Sequence, residues 1–146
     1  MKNLLYLLSL FFMMALISCN NDDDNNSNKV VGEWKLIQAK QYAENSSGEM
    51  ELFTTDYSSE NIIYHFQANN TLKVSGGENI GFSNGEYAYE FKNDYLSGFP
   101  SSGEIKIDLV QIQVSKWIFD NSSSQMVLDN SYVDGPQLIF VKRPTY

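Results

Sequence analysis

An all-β fold, an antiparallel up-and-down eight-stranded barrel, is what this sequence predicts, with a β-sandwich as the alternative. Three observations point there. Between Val30 and Val141 short segments alternate apolar and polar residues with a period of two, as half-buried strands do. Turn signals such as Asn84-Gly85 and Asp134-Gly135 separate them. No segment in that range repeats apolar residues at helical spacing. Aromatic residues make up 14% of the chain, with nine Tyr and nine Phe, and such side chains favour strands and large cores. The count is seven or eight strands, and eight close into a barrel whose interior holds side chains or one small ligand.

The first strand segment is Val30 to Ala43. Its alternation puts Gly32, Trp34 and Leu36 on one face and Glu33 and Lys35 on the other. Glu44 to Glu60 reads as a loop. Ile62 to Phe66 and Leu72 to Val74 flank Asn69-Asn70, a pair that tolerates positive φ, so the spacing predicts a tight hairpin. Gly76 to Gly85 is a loop. In Glu86 to Lys92, Tyr87, Tyr89 and Phe91 face one way and Glu86, Glu90 and Lys92 the other. After a loop at 93–103, Ile105, Ile107 and Leu109 share a face that continues through Ile112 and Val114 if a bulge falls at Val110-Gln111. Trp117 to Phe119, Met126 to Leu128 and Leu138 to Val141 are the remaining strands.

The N-terminus has a different character. Lys2 precedes Leu4 to Ile17, an uncharged apolar run of 14 residues. Spanning a hydrocarbon core takes about 20 residues, so the run fits the central region of an export signal. It ends in Leu16-Ile17-Ser18-Cys19, which resembles a bacterial lipobox. That resemblance implies cleavage after residue 18, diacylglycerol on the Cys19 thiol and lasting attachment to a membrane. Cys19 is the chain's one cysteine, so no intramolecular disulfide can form. The reading divides the chain into a signal peptide at 1–18, an acylated cysteine and acidic tether at 19–29, and a β domain at 30–146. The segment Asn20 to Asn28, NNDDDNNSN, has no apolar residue to bury and reads as a solvated spacer. Its Asp22-Asp23-Asp24 triplet also resembles an export tag of Bacteroidetes lipoproteins, placing the protein in the cell envelope, at the outer membrane. A calcium loop is disfavoured, because the alternate oxygen ligands, turn glycine and late Glu are missing.

The formal net charge is −8, and loss of Lys2 with the leader makes it −9. Phosphate backbones and anionic lipid heads repel such a chain, which excludes nucleic acid as a partner and leaves the lipid as the membrane contact.

The strands carry a second resemblance. Gly32-Glu33-Trp34, then Tyr64-His65-Phe66 with Asn69-Asn70-Thr71-Leu72, then Gly85-Glu86-Tyr87-Ala88-Tyr89, and finally Phe140-Val141-Lys142-Arg143 stand in the order found in the lipocalin-like lipoproteins of the Bacteroidetes. The resemblance implies that Gly32, Trp34 and Arg143 are structural. Trp34 would close one end of the barrel, with Arg143 across its ring through cation–π contact.

Chemistry is sparse. The single histidine, His65, alternates against Tyr64 and Phe66 and faces solvent, away from any catalytic or metal site. There is no phosphate loop and no nucleophile elbow. Glu86 and Glu90 share a face at a spacing compatible with glycosidase carboxylates, but a solvated outer face explains them better. The expectation is a non-enzyme without metal or cofactor. The face made by Tyr64, Phe66, Tyr87, Tyr89 and Phe91 is either packed core or the lining of a partly wet cavity, since each buried phenol needs a polar partner. Two functions follow as expectations. The barrel binds a small apolar or amphipathic ligand through those five residues, or it is filled and its loops contact another envelope protein.

Overall fold

The computed structural model describes residues 29–77, 80–121 and 123–144. The expected leader, Cys19 and the tether as far as Asn28 lie outside the described residues. Nine strands follow one another: β1 (Gly32–Glu44), β2 (Met50–Asp56), β3 (Ile63–Phe66), β4 (Thr71–Ser75), β5 (Gly85–Asp94), β6 (Ile107–Ile112), β7 (Ser115–Asp120), β8 (Gln125–Asp129) and β9 (Gln137–Lys142). The one helical element among the described residues is a 3-10 turn at Ser131–Val133.

Each strand pairs antiparallel with its neighbours in the order β2-β1-β3-β4-β5-β6-β7-β8-β9, and β9 returns to β1. The result is a closed eight-stranded barrel, β1 with β3 to β9, plus one extra strand, consistent with a lipocalin-like barrel. Closure removes the open edges of the eight barrel strands and leaves that of β2.

The extra strand follows from the length of β1. Gly32 to Lys35 pair with β3, whereas Gln38 to Glu44 pair with β2 along the same edge. On the opposite edge β9 covers β1 only from Trp34 to Lys40. Gln41 to Glu44 and the Met50 to Phe53 part of β2 therefore stand beyond the barrel rim as a hairpin, while Thr54 to Asp56 lie alongside Lys40 to Gln38. A register shift between Leu36 and Gln38 changes the phase of β1, so that Leu36 and Ala39 are both buried while Gln38 is not.

The barrel has two distinct rims. One carries the entry of the chain at Val30, the β3–β4 turn and the end of β9. The other carries the β1–β2 hairpin, the β4–β5 loop, the β6–β7 turn and the 130–136 connection. The β3–β4 turn forms as the sequence predicts, with Asn70 at φ 63°. At β6 the prediction needs correction. The β5–β6 register runs unbroken from Asp94↔Ile107 to Tyr89↔Ile112, with no bulge at Val110-Gln111. Val110 and Ile112 point inward and are fully buried, while Ile105 and Val114 are exposed. Leu109 lies on the outer face yet is 3% exposed. The 95–106 loop folds back over that side, where Lys116 Nζ donates to the Leu96 carbonyl (3.4 Å).

Candidate functional site

The five aromatic residues singled out above do come together. Tyr64, Phe66 and Tyr89 are buried inside the barrel, and Tyr87 and Phe91 pack against them half-buried. What they form is part of one packed hydrophobic cluster. Rings meet edge to face at Phe66–Tyr89 (5.0 Å between centroids), Phe91–Phe119 (5.1 Å) and Tyr64–Phe140 (4.9 Å), the spacing of packed aromatic pairs. Leu36, Leu72, Val74, Met126, Leu128 and Leu138 complete the same cluster.

The phenol groups, which raised the idea of a wet cavity, are bonded to backbone. Tyr89 Oη donates to the Gln67 carbonyl (2.7 Å), tying the β3–β4 turn to β5. Tyr87 Oη donates to the Ser83 carbonyl (2.8 Å), and Tyr64 Oη accepts the Phe82 N–H (2.9 Å). The last two hold the β4–β5 loop over the hairpin-side rim. There Ile80 and Phe82 pack on the core, with the Phe82 ring 5.1 Å from Tyr87 and 5.9 Å from Trp117. Gly81 allows this closeness. Its φ is +66°, and a Cβ there would stand 2.5 Å from Tyr64 Oη, which only glycine avoids. Burial pushes the Tyr64 phenol up to about 12, partly opposed by the Phe82 N–H. Burial raises Tyr89 as well. One interior donor is different: Trp117 is 4% exposed, and its Nε1 finds no acceptor among the described residues.

The opposite rim is closed by Trp34, 2% exposed, whose Nε1 donates to the Val30 carbonyl (2.7 Å). Here the family resemblance misassigns the cation. Lys142 Nζ lies over the Trp34 ring, 5.4 Å from its centroid. Arg143 turns outward: its Nη1 donates to Glu33 Oε2 (3.0 Å), and its N–H donates to the Glu33 carbonyl (2.9 Å). The reason is strand parity. Lys142 sits directly opposite Trp34 on the inward phase of β9, and Arg143 is one residue out of phase. Gly32, with φ +132°, fits beneath the same lysine, since a Cβ there would meet Lys142 Cε at 3.4 Å.

His65 lies on the outer surface with Nδ1 4.0 Å from Glu33 Oε1. Glu86 and Glu90 are exposed, and each has its own lysine, Lys73 at 3.7 Å and Lys92 at 2.8 Å. They are separate ion pairs on a solvated face. Among the described residues no three acidic, His or Cys side chains converge on a metal-sized site.

The feature that sequence reading missed is the hairpin. Glu44 to Glu60 contains β2, a strand exposed along its whole length. With neither face buried it has no alternation to detect. The signals present were the apolar and β-branched run Leu52-Phe53-Thr54-Thr55 and the turn at 45–49. In that turn Asn45 Oδ1 accepts the N–H groups of Ser47 and Glu49, and Gly48 takes φ +80°. The hairpin exposes Tyr42, Met50, Leu52 and Phe53. Tyr42 and Leu52 are cross-strand partners. With Lys40 and Gln41 they form one wall of a cleft of about 280 Å³, whose other wall is Ser131, Gly135 and Gln137. Comparison with protein-family models, curated proteins and solved structures finds no match to this chain.

Proposed function

We propose that the protein is an exported lipoprotein, held at the outer membrane of a cell envelope by lipid on Cys19. Its barrel serves as a filled, non-enzymatic platform, and its projecting hairpin contacts an envelope protein. One observation carries this reading. Among the described residues nine large apolar side chains are exposed, and seven of them lie on elements at the hairpin-side rim: Tyr42, Met50, Leu52 and Phe53 on the hairpin, and Val114, Tyr132 and Val133 on other turns of that rim. Phe99 and Ile105 are the other two. A projecting hairpin that keeps large apolar side chains in water on both of its faces has the character of a contact surface. The chain enters the barrel at the opposite rim, where Lys29 pairs with Asp108 (2.9 Å). A tether from Cys19 therefore joins the rim away from the hairpin. The experiment has two arms. Cys19→Ser should move the protein from the membrane fraction to the soluble one. A photoreactive amino acid at Phe53, but not at Asn121 on the anchored rim, should yield a discrete protein adduct in living cells. Equal adducts from both positions, or none from Phe53, would count against the surface reading.

A second reading keeps the small apolar or amphipathic ligand inside the barrel. It is favoured by the buried Trp117 Nε1, a donor to which a ligand oxygen could bond. Native mass spectrometry separates it from the first. A reproducible added mass, lost on Trp117→Phe, supports an interior ligand, and the bare protein mass opposes it.

A further inference from the structure

The surface reading leaves open how a partner is held, and the hairpin has a property beyond exposed apolar groups. Among the described residues β2 pairs with β1 alone, at one end of the strand order, and its second edge is open from Met50 to Asp56. That edge lacks three of the usual protections, proline, lysine and a bulge, and its charges are the carboxylates of Glu51 and Asp56. The seven residues, MELFTTD, include no Pro and no Lys, and the β1–β2 register runs from Gln38↔Asp56 to Glu44↔Met50 without a shift. Open edges normally carry such devices because their free N–H and C=O groups recruit another strand. One that lacks three of them, on an otherwise closed barrel, is a place where a strand can be added. Both hairpin faces offer apolar contacts to the side chains of an added strand, Leu52 and Met50 on the outer face and Phe53 on the inner face.

The charge selects the strand. Between Gln38 and Asp56 there are four carboxylates, Glu44, Glu49, Glu51 and Asp56, against Lys40 alone. Among the described residues none of the four is in an ion pair. Two copies of this hairpin, edge to edge, would bring like charges together in a chain already at −8, which disfavours a homodimer. A strand alternating apolar and basic residues answers both the apolar faces and the carboxylates. We therefore propose that the β2 edge captures an extended, lysine- or arginine-bearing segment of a partner protein by antiparallel or parallel strand addition. This rests on the surface reading above and adds its mode and chemistry.

The test uses the lipidated full chain in detergent micelles and two synthetic nonapeptides, KVKVTVKVK and its acidic counterpart EVEVTVEVE. Binding is followed by titration, and its place by amide hydrogen exchange. The expected result is that the basic peptide binds at least about tenfold more tightly than the acidic one and loses affinity severalfold as salt rises. It should slow exchange in a peptide spanning 49–57 and leave the barrel strands unchanged. Phe53→Lys should weaken it by a further factor of about ten, with retained protection at Gln41 to Glu44 reporting that the hairpin is still formed. Equal binding of the two peptides, protection elsewhere, or a concentration-dependent dimer whose protection maps to β2 without peptide overturns the proposal. If strand addition alone is wrong, the Phe53 cross-link in cells survives; if the surface reading is wrong, that cross-link is missing.

Discussion

Tyr64→Phe removes one oxygen from beneath the β4–β5 loop and nothing else. The ring keeps its contact with Phe140 at 4.9 Å. What is lost is the acceptor for the Phe82 N–H at 2.9 Å. A hydrogen bond of this kind contributes about 0.5–1.5 kcal/mol net, and a donor left buried and unpaired costs about 1–3 kcal/mol. Phe82 is only half-buried, so the loop can turn its N–H towards water and the loss should stay near 1 kcal/mol. For a domain of this size that is about 3–6 °C in Tm. The exchange of the Phe82 amide should quicken about fivefold, the equivalent of the same energy. Urea unfolding gives the stability and hydrogen exchange gives the loop. The wild type adds a pH signature. The folded-state phenol titrates at about 12 against an ordinary 10.0. The neutral form is favoured by folding, so this contribution is complete below pH 10 and disappears as pH rises from 10 to about 12. Tyr64→Phe should flatten that part of the alkaline limb, leaving the smaller shares of Tyr89 and Tyr132, both raised by burial. An unchanged urea midpoint together with unchanged Phe82 exchange would refute the claim that Tyr64 clamps the β4–β5 loop.

Three further outcomes are expected. Trp34→Phe should destabilise more than Trp117→Phe by about 1–3 kcal/mol in chemical denaturation, because Trp34 loses a bond to the Val30 carbonyl while Trp117 loses a donor with no acceptor among the described residues; equal losses would contradict the assignment. Lys142→Ala, at an exposed lysine, should shift Trp34 fluorescence and cost about 0.5–1 kcal/mol, whereas Arg143→Ala, whose ion pair with Glu33 is half-exposed, should cost under about 1 kcal/mol and leave the emission unchanged. Hydrogen bonds from Ser101 and Ser97 hold the Glu104 carboxyl down to about 2. The order they give the 97–104 loop is therefore present above pH 4.5 and fades as pH falls towards 2, and Glu104→Gln should make that loop's protection factors, exchange corrected for the intrinsic amide rates, nearly independent of pH over the same range.

The barrel was legible because a barrel strand has one buried face. Tyr87, Tyr89 and Phe91 announce β5, and Leu138 and Phe140 announce β9, by period two alone. β2 was not legible for the same reason: with both faces wet, Met50 to Asp56 has no pattern to reveal. β6 misled because Leu109 is buried on the outside, beneath a returning loop, and so looks like a core residue of the wrong phase. The lysine over Trp34 was readable in principle, since Leu138, Phe140 and Lys142 share a phase that Arg143 lacks. Resemblance to a family pointed to the arginine where strand parity pointed to the lysine. The tyrosines were correctly placed inside, but a sequence cannot tell a phenol that meets a ligand from one that meets the backbone of a distant turn. Gln67, Phe82 and Ser83, the partners found, lie on loops whose course only the folded chain fixes.

The central claim is that the rim hairpin, and not the barrel interior, engages the partner. Its most direct test places the photoreactive residue at Tyr42 and compares two backgrounds in the same cells. With Leu52→Lys and Phe53→Lys the adduct should vanish; with Tyr64→Phe and Trp117→Phe it should remain at the wild-type level. An adduct that survives the hairpin substitutions and is lost with the interior ones would contradict the account and return the function to the lumen.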